Sequence, residues 1–181
     1  MAGFEYRGQL SGAQDPVTKL IPIGASATVK VGDVLKMQTF SGGGGCIRAT
    51  DGSLVLGVCV GIVDKNGIDL DNTSTANYDG TWTSSSKTYV AAADNMSDKL
   101  VKCLVVVDKD SIWYNDSAGT LAIADEFKHF DITDQDQIKN QDGHDTSGAF
   151  MLIKRDPDGD GDASKGLFII VESELDYAVQ Q

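Results

Sequence analysis

What most limits the folds open to this chain is the shortness of its apolar runs. They are rich in β-branched and aromatic residues, and glycine or acidic turn residues close each one: ATVKVGDVLKMQTF, LVLGVCVGIVDKNG, TYVAA, LVKCLVVVD, AFMLIK and LFIIVES. Runs of about four to eight such residues between turn signals read as strands. Ala27, Val29 and Val31 alternate with Thr28 and Lys30, the period of a half-buried strand. LGVCVGIV is apolar at nearly every position, with Gly57 and Gly61 placed to bend or break it. The whole reads as about ten to thirteen strands with little helix, a compact β-barrel or β-sandwich.

Residues 1–20 are polar and glycine-bearing, and read as an extended N-terminal arm ordered by a partner surface. Residues 21–181 form the β-rich domain, with room for two small β units dividing near residue 95. SGGGG at 41–45 reads as a flexible loop. It lacks the Lys-Ser/Thr and following helix of a phosphate-binding loop. The polar stretch from Ile68 to Lys87 reads as a projecting hairpin or loop. Asp116 to Gly119 reads as a hairpin turn between strands Ile112–Tyr114 and Thr120–Ile123. The one expected helix runs from Thr133 to Asn140, with Thr133 as its N-cap.

Charge narrows the partners. Fifteen basic against 27 acidic side chains give a net charge of −12, which repels phosphate backbones and anionic lipid, so neither nucleic acid nor membrane is expected. The N-terminus has no apolar signal-peptide core. The apolar stretches Leu54–Val63 and Leu100–Val107 fall well short of the ~20 residues a membrane helix needs, so a soluble protein is expected. Cys46, Cys59 and Cys103 are odd in number and lack CxxC spacing, which argues against a disulfide framework or zinc and for folding in a reducing cytoplasm.

No catalytic set stands out. His129 and His144 lie in acidic, polar sequence and read as solvated loop residues; carboxylates are too many for a pair to be singled out. Trp82 and Trp113 fit either a sugar-stacking platform or one core residue and one surface anchor. No catalytic residue is assigned, and the chain is expected not to be an enzyme.

RDPDGDGDASKG, residues 155–166, invites comparison with a calcium loop. From Asp156 onward, Asp158, Asp160 and Gly161 stand where an EF-hand needs them, but Leu167 occupies the place of the bidentate glutamate. The flanks are strands, so the segment reads as a solvated hairpin turn with no cofactor. Structural calcium on Asp156, Asp158, Asp160 and Asp162 is the alternative expectation.

The block SATVKVGDVLKMQ…CIRATDGSLVLGVCVGIVDKNG resembles the opening of head-decoration (capsid cement) proteins of tailed bacteriophages. FKHFDI, DTSGAFMLI and GLFIIVESEL look like phage virion proteins too, so the likeness covers Ile21 to Val63 and Phe127 to Leu175. It implies a β-tulip-like, non-enzymatic coat component that binds the major capsid protein on the outer face of the virion. It also implies a homo-oligomer, trimeric by preference, made in the host cytoplasm and stapling capsid subunits. Other expectations are another virion part, such as a head fibre or tail component, and a calcium-stabilised carbohydrate-binding module.

Overall fold

The most apolar runs are apolar throughout because the sheet they build is covered on both faces. The computed structural model describes residues 3–12, 15–40, 43–93, 95, 100–134, 136–139 and 148–171. Their strands are β1 (Glu5–Gln9), β2 (Thr18–Pro22), β3 (Thr28–Lys30), β4 (Val34–Phe40), β5 (Gly43–Arg48), β6 (Gly57–Val63), β7 (Gly80–Thr83), β8 (Thr88–Ala91), β9 (Lys102–Val106), β10 (Ser111–Asp116), β11 (His129–Phe130), β12 (Ile132–Asp134), β13 (Gln137–Ile138), β14 (Phe150–Arg155) and β15 (Lys165–Ile170). Two 3-10 turns, Thr75–Asn77 and Ile123–Asp125, are the helical elements among the described residues.

A central sheet, in the order β2-β9-β6-β4-β5, lies between a five-stranded sheet (β1-β10-β15-β14-β11) and a three-stranded one (β3-β8-β7). Val34, Val58 and Val106 face one core with Trp113, Phe130, Phe150 and Phe168. Their chain neighbours Leu35, Cys59 and Val105 face a second core with Ile23, Val29 and Tyr89. Alternation is therefore present, but both sets of positions are apolar because both faces are buried. Each fully buried side chain of this kind contributes about 1.5–3 kcal/mol.

The ladders are antiparallel throughout. The end of β2 and the edge strand β5 meet through one parallel bridge, Ile23 to Cys46, backed by the Gly24 N–H on the Cys46 carbonyl at 2.9 Å. One bridge is not a ladder, so the central sheet curls without closing. Of the two expected architectures the sandwich-like one is observed, and the described strands form no closed barrel. The β6–β9 pairing carries its bulge between Cys59 and Gly61. Gly57 is the glycine this curvature demands: a Cβ there would lie 2.1 Å from the Val106 carbonyl oxygen, whereas one on Gly61 would meet nothing nearer than 3.6 Å.

Several sequence expectations are corrected. The N-terminal arm of residues 1–20 is, where described, part of the body. β1 pairs with β10, β2 pairs with β9, and Phe4 is buried with its ring stacked 4.7 Å from that of Phe150. Phe4 and Tyr6 alternate with Glu5 and Arg7, a period-two signal only two apolar residues long. Strand pairing runs across the point near residue 95 where two β units could divide: β9 pairs with β2 and with β6, and Asn95 is buried, its amide donating to the Ile23 carbonyl at 2.6 Å and accepting from the Tyr89 hydroxyl at 3.1 Å. The first core instead joins β1 to strands that follow residue 110.

The Thr133–Asn140 helix is replaced by the β12–β13 hairpin, with Asn140 outside the described residues. Ile132 and Ile138 are buried and paired across the ladder; six residues apart, they would lie about 120° from each other around a helix. Asn115 fixes this hairpin by donating to the Asp136 carbonyl at 2.9 Å and accepting from the Ile138 N–H at 3.0 Å. No strand forms over Thr120–Ile123; Leu121 is buried instead, its N–H bonded to the Ala163 carbonyl at 2.7 Å. Gly43 to Gly45 of the expected flexible loop are paired with β4 in β5.

Candidate functional site

The acidic turn joins β14 to β15 as a hairpin connection, and three of its four carboxylates accept hydrogen bonds, although one oxygen of Asp156 is buried without a partner. Asp160 accepts from the Asp162 N–H at 2.9 Å, Asp162 from the Ser164 hydroxyl at 2.6 Å, and Asp156 from the Gly161 N–H at 3.2 Å. Lys165 places its ammonium 2.9 Å from Asp160 and 3.3 Å from Asp162. Those hydrogen bonds hold both carboxyls below, and the lysine above, their ordinary ranges. The lysine head thus stands where a bound cation would have to sit between Asp160 and Asp162. Asp158 is exposed. Among the described residues no group of three or more metal-ligating side chains is placed to hold an ion.

Sequence reading missed how the polar stretch after β6 is tied down. Asp64 is fully buried. Burial alone would raise its pKa, but hydrogen bonds from the Thr73 hydroxyl and the Ile68 and Asn66 amides bring it below the usual carboxylate range. Asp71 accepts from Lys87, from Ser84 at 2.6 Å and from the Trp82 indole N–H at 2.9 Å, and is lowered to about 2. Trp82 and Tyr78 pack against the second core, so the segment lies on the body and does not project. Trp113 is wholly buried in the first core, which removes it from any sugar-stacking platform with Trp82.

A pH dependence follows. Asp71 titrates lower folded than its ordinary 3.8, so its contribution is present above that value and is lost as pH falls through about 2. Acid titration from pH 5 should leave Trp82 fluorescence steady to about pH 3 and change it as pH falls through about 2. Asp71→Asn should abolish that transition. A transition unchanged by the substitution would show that another group controls it.

The motif strings that carry the resemblance are joined in space. Gly32, at φ +95°, turns the chain into β4 and leaves Asp33 fully buried. One Asp33 oxygen accepts from Arg48 Nε and from the Lys30 N–H, both at 2.6 Å; the other is buried without a hydrogen-bond partner. Desolvation outweighs the arginine and raises the Asp33 pKa. GDV and RAT are therefore linked by an ion pair between the buried Asp33 and the half-buried Arg48. Cys46, Cys59 and Cys103 are free and buried together in the second core. Burial first, and hydrogen bonding with the other two thiols second, push Cys103 well above the thiol range. Such thiols are poor nucleophiles. His129 lies on β11 opposite Met151, and His144 is outside the described residues.

The most exposed large apolar side chains lie together on a built loop that sequence reading overlooked. Ile123 is 71% and Phe127 68% exposed. Phe127 has φ +70°, a left-handed backbone that is rare and strained for a bulky residue. Its N–H bonds to the Leu152 carbonyl at 2.7 Å. Asp125 accepts from the Ala122 N–H at 2.7 Å and pairs with Lys128 at 3.3 Å, and Glu126 accepts from the Arg155 N–H at 3.2 Å. The surroundings fix this loop while its two apolar side chains face solvent. The available signal was FKHFDI itself, whose first residue has no apolar partner in a strand pattern.

No family model matches the chain, and neither the curated proteins nor the solved structures contain a significant match to it. No helix among the described residues is long and apolar enough to cross a membrane.

Proposed function

We propose that this chain is a non-enzymatic structural protein of a tailed-phage virion. In this reading it is a head-decoration protein that binds the outer face of the capsid and staples neighbouring major capsid subunits. The observation that carries the reading is the hydrogen-bonded 122–128 loop with Ile123 and Phe127 exposed to solvent. An apolar side chain kept exposed on strained backbone is costly unless something uses it. A pre-ordered aromatic loses little entropy when a partner pocket closes over it.

Two further features support the reading. The GDV and RAT strings on which the phage resemblance rests are bonded through Asp33 and Arg48. The body is strand-built and strongly acidic, which suits a part repeated many times on a particle that must stay dispersed. The chain acts as an oligomer, a trimer by preference, made in the host cytoplasm and placed on the virion surface.

Phe127→Ser tests the contact. Its affinity for expanded capsid shells is expected to fall at least tenfold, as truncation of an interface anchor does. Its melting temperature should not fall, because the side chain is exposed and its backbone unfavourable. Binding equal to the parent's would remove the loop from the interface.

A further inference from the structure

The five-stranded outer sheet turns one face to the first core and leaves the other in neither core. On that outer face β-pairing sets three rows across the strands. The first runs Gly8, Ile112, Ile169, Met151 and His129. The second runs Glu5, Tyr114, Leu167 and Lys154, and the third holds Asp116 and Lys165. Ile112, Tyr114, Leu167, Ile169 and Met151 are half-buried neighbours, unlike the apolar side chains that ordinary surfaces scatter singly.

We propose that this face pairs with the same face of a second copy of the chain, in an isologous contact between two aligned sheets. The rows are self-complementary. A two-fold axis lying along the strands, between β10 and β15, lays each row on its own reverse, so that each contact occurs twice. Glu5 then meets Lys154 of the second copy, Tyr114 meets Leu167, Ile112 meets Ile169, and Asp116 meets Lys165. Gly8 meets Met151, and there shape agrees as well. A side chain on Gly8 would touch nothing within 4 Å, which leaves room for a long methionine to enter. In none of the three rows does a charge face its like. An axis along the strands also keeps the two sets of strands nearly parallel, as aligned sheets pack. A foreign partner would not require the rows to match themselves, and this reversal symmetry is what selects a second copy. Lys165 is already engaged by Asp160 and Asp162, and Glu5 only by an exposed contact with Arg7 at 3.4 Å, which is worth little. The Glu5–Lys154 pairs therefore set the specificity.

The assignment is independent of the capsid reading and is tested without a capsid; a two-fold contact of this kind can also join trimers in pairs. Sedimentation of the full chain from micromolar to submillimolar concentration should show reversible pairing. Glu5→Lys and Lys154→Glu should each weaken it roughly tenfold or more, by setting like charges against each other. Both residues are exposed, so the circular dichroism of the fold should not change. Mixing the two variants in equal amounts should restore pairing, because each then meets its opposite charge. The double variant Glu5→Lys/Lys154→Glu should restore it alone. Within one chain the two positions stand three strand spacings apart, ~14 Å, so that rescue has to act between copies. A chain that stays unpaired at submillimolar concentration would overturn the assignment. So would association, a trimer included, that neither reversal weakens or that mixing fails to restore.

Discussion

Arg48→Met is expected to be the most damaging single substitution outside the aromatic core. Asp33 is fully buried, and Arg48 supplies the only side chain among the described hydrogen-bond partners of its carboxylate. Removing Arg48 strands the buried Asp33 charge; a pair buried on both sides would cost about 3–5 kcal/mol, and with Arg48 half-buried the lower end, about 3 kcal/mol, is expected. In a chain of this length that lowers the thermal midpoint by roughly 10 °C. The loss should also depend on pH, with a sign set by the acid. Burial already raises Asp33 above its ordinary value, and loss of the arginine raises it further. A group raised in the folded state favours folding below its unfolded pKa and loses that contribution as pH rises through the folded pKa. The variant should therefore lie nearest the parent in mild acid and furthest from it at neutral and higher pH. Adding Asp33→Asn should recover part of the loss at neutral pH. Denaturant melts of the four chains across pH would settle it; a deficit independent of pH would mean that the pair matters only for packing.

Phe4→Ala is the second large effect, and it separates an integral strand from an appended arm. Phe4 is 5% exposed and stacked on Phe150, and its N–H bonds to the Gly32 carbonyl at 2.9 Å. Truncating a buried phenylalanine costs about 3–5 kcal/mol, again roughly 10 °C in the thermal midpoint. If residues 1–20 were an arm ordered only on a partner, the change would stay within about 0.5 kcal/mol. Deleting residues 1–20 is accordingly no clean test of a capsid-binding arm. It removes β1 and the first part of β2, and with them an edge of two sheets.

How much of this was legible follows from what each residue's neighbours reveal locally. The strand-built class was readable because runs such as LVLGVCVGIV and LVKCLVVVD are too short and too β-branched for anything else. That residues 155–166 join two paired strands was readable because apolar, β-branched runs flank them. What failed depended on pairing between distant segments. Phe4 and Tyr6 become meaningful only beside Phe150 and Trp113, and Ile132 and Ile138 only once their hairpin is capped by Asn115. The three cysteines look scattered because β5, β6 and β9 meet only in the curled central sheet. Asp71 drew no attention in a polar stretch until Lys87, Ser84 and Trp82 were seen to converge on it. Phe127 gave no periodic signal at all, since a left-handed residue on a loop follows no repeat.

The central claim is that multiplied contacts on a capsid lattice, and not a reactive pocket, are what this protein provides. Titrating the purified chain against expanded, DNA-free heads of tailed phages, and counting bound copies by sedimentation, tests that proposal most directly. The account predicts saturation at a fixed ratio to the major capsid subunits, with the decorated shell disassembling at a higher temperature than the bare one. No association with shells, together with calcium-dependent binding to a glycan, would contradict it.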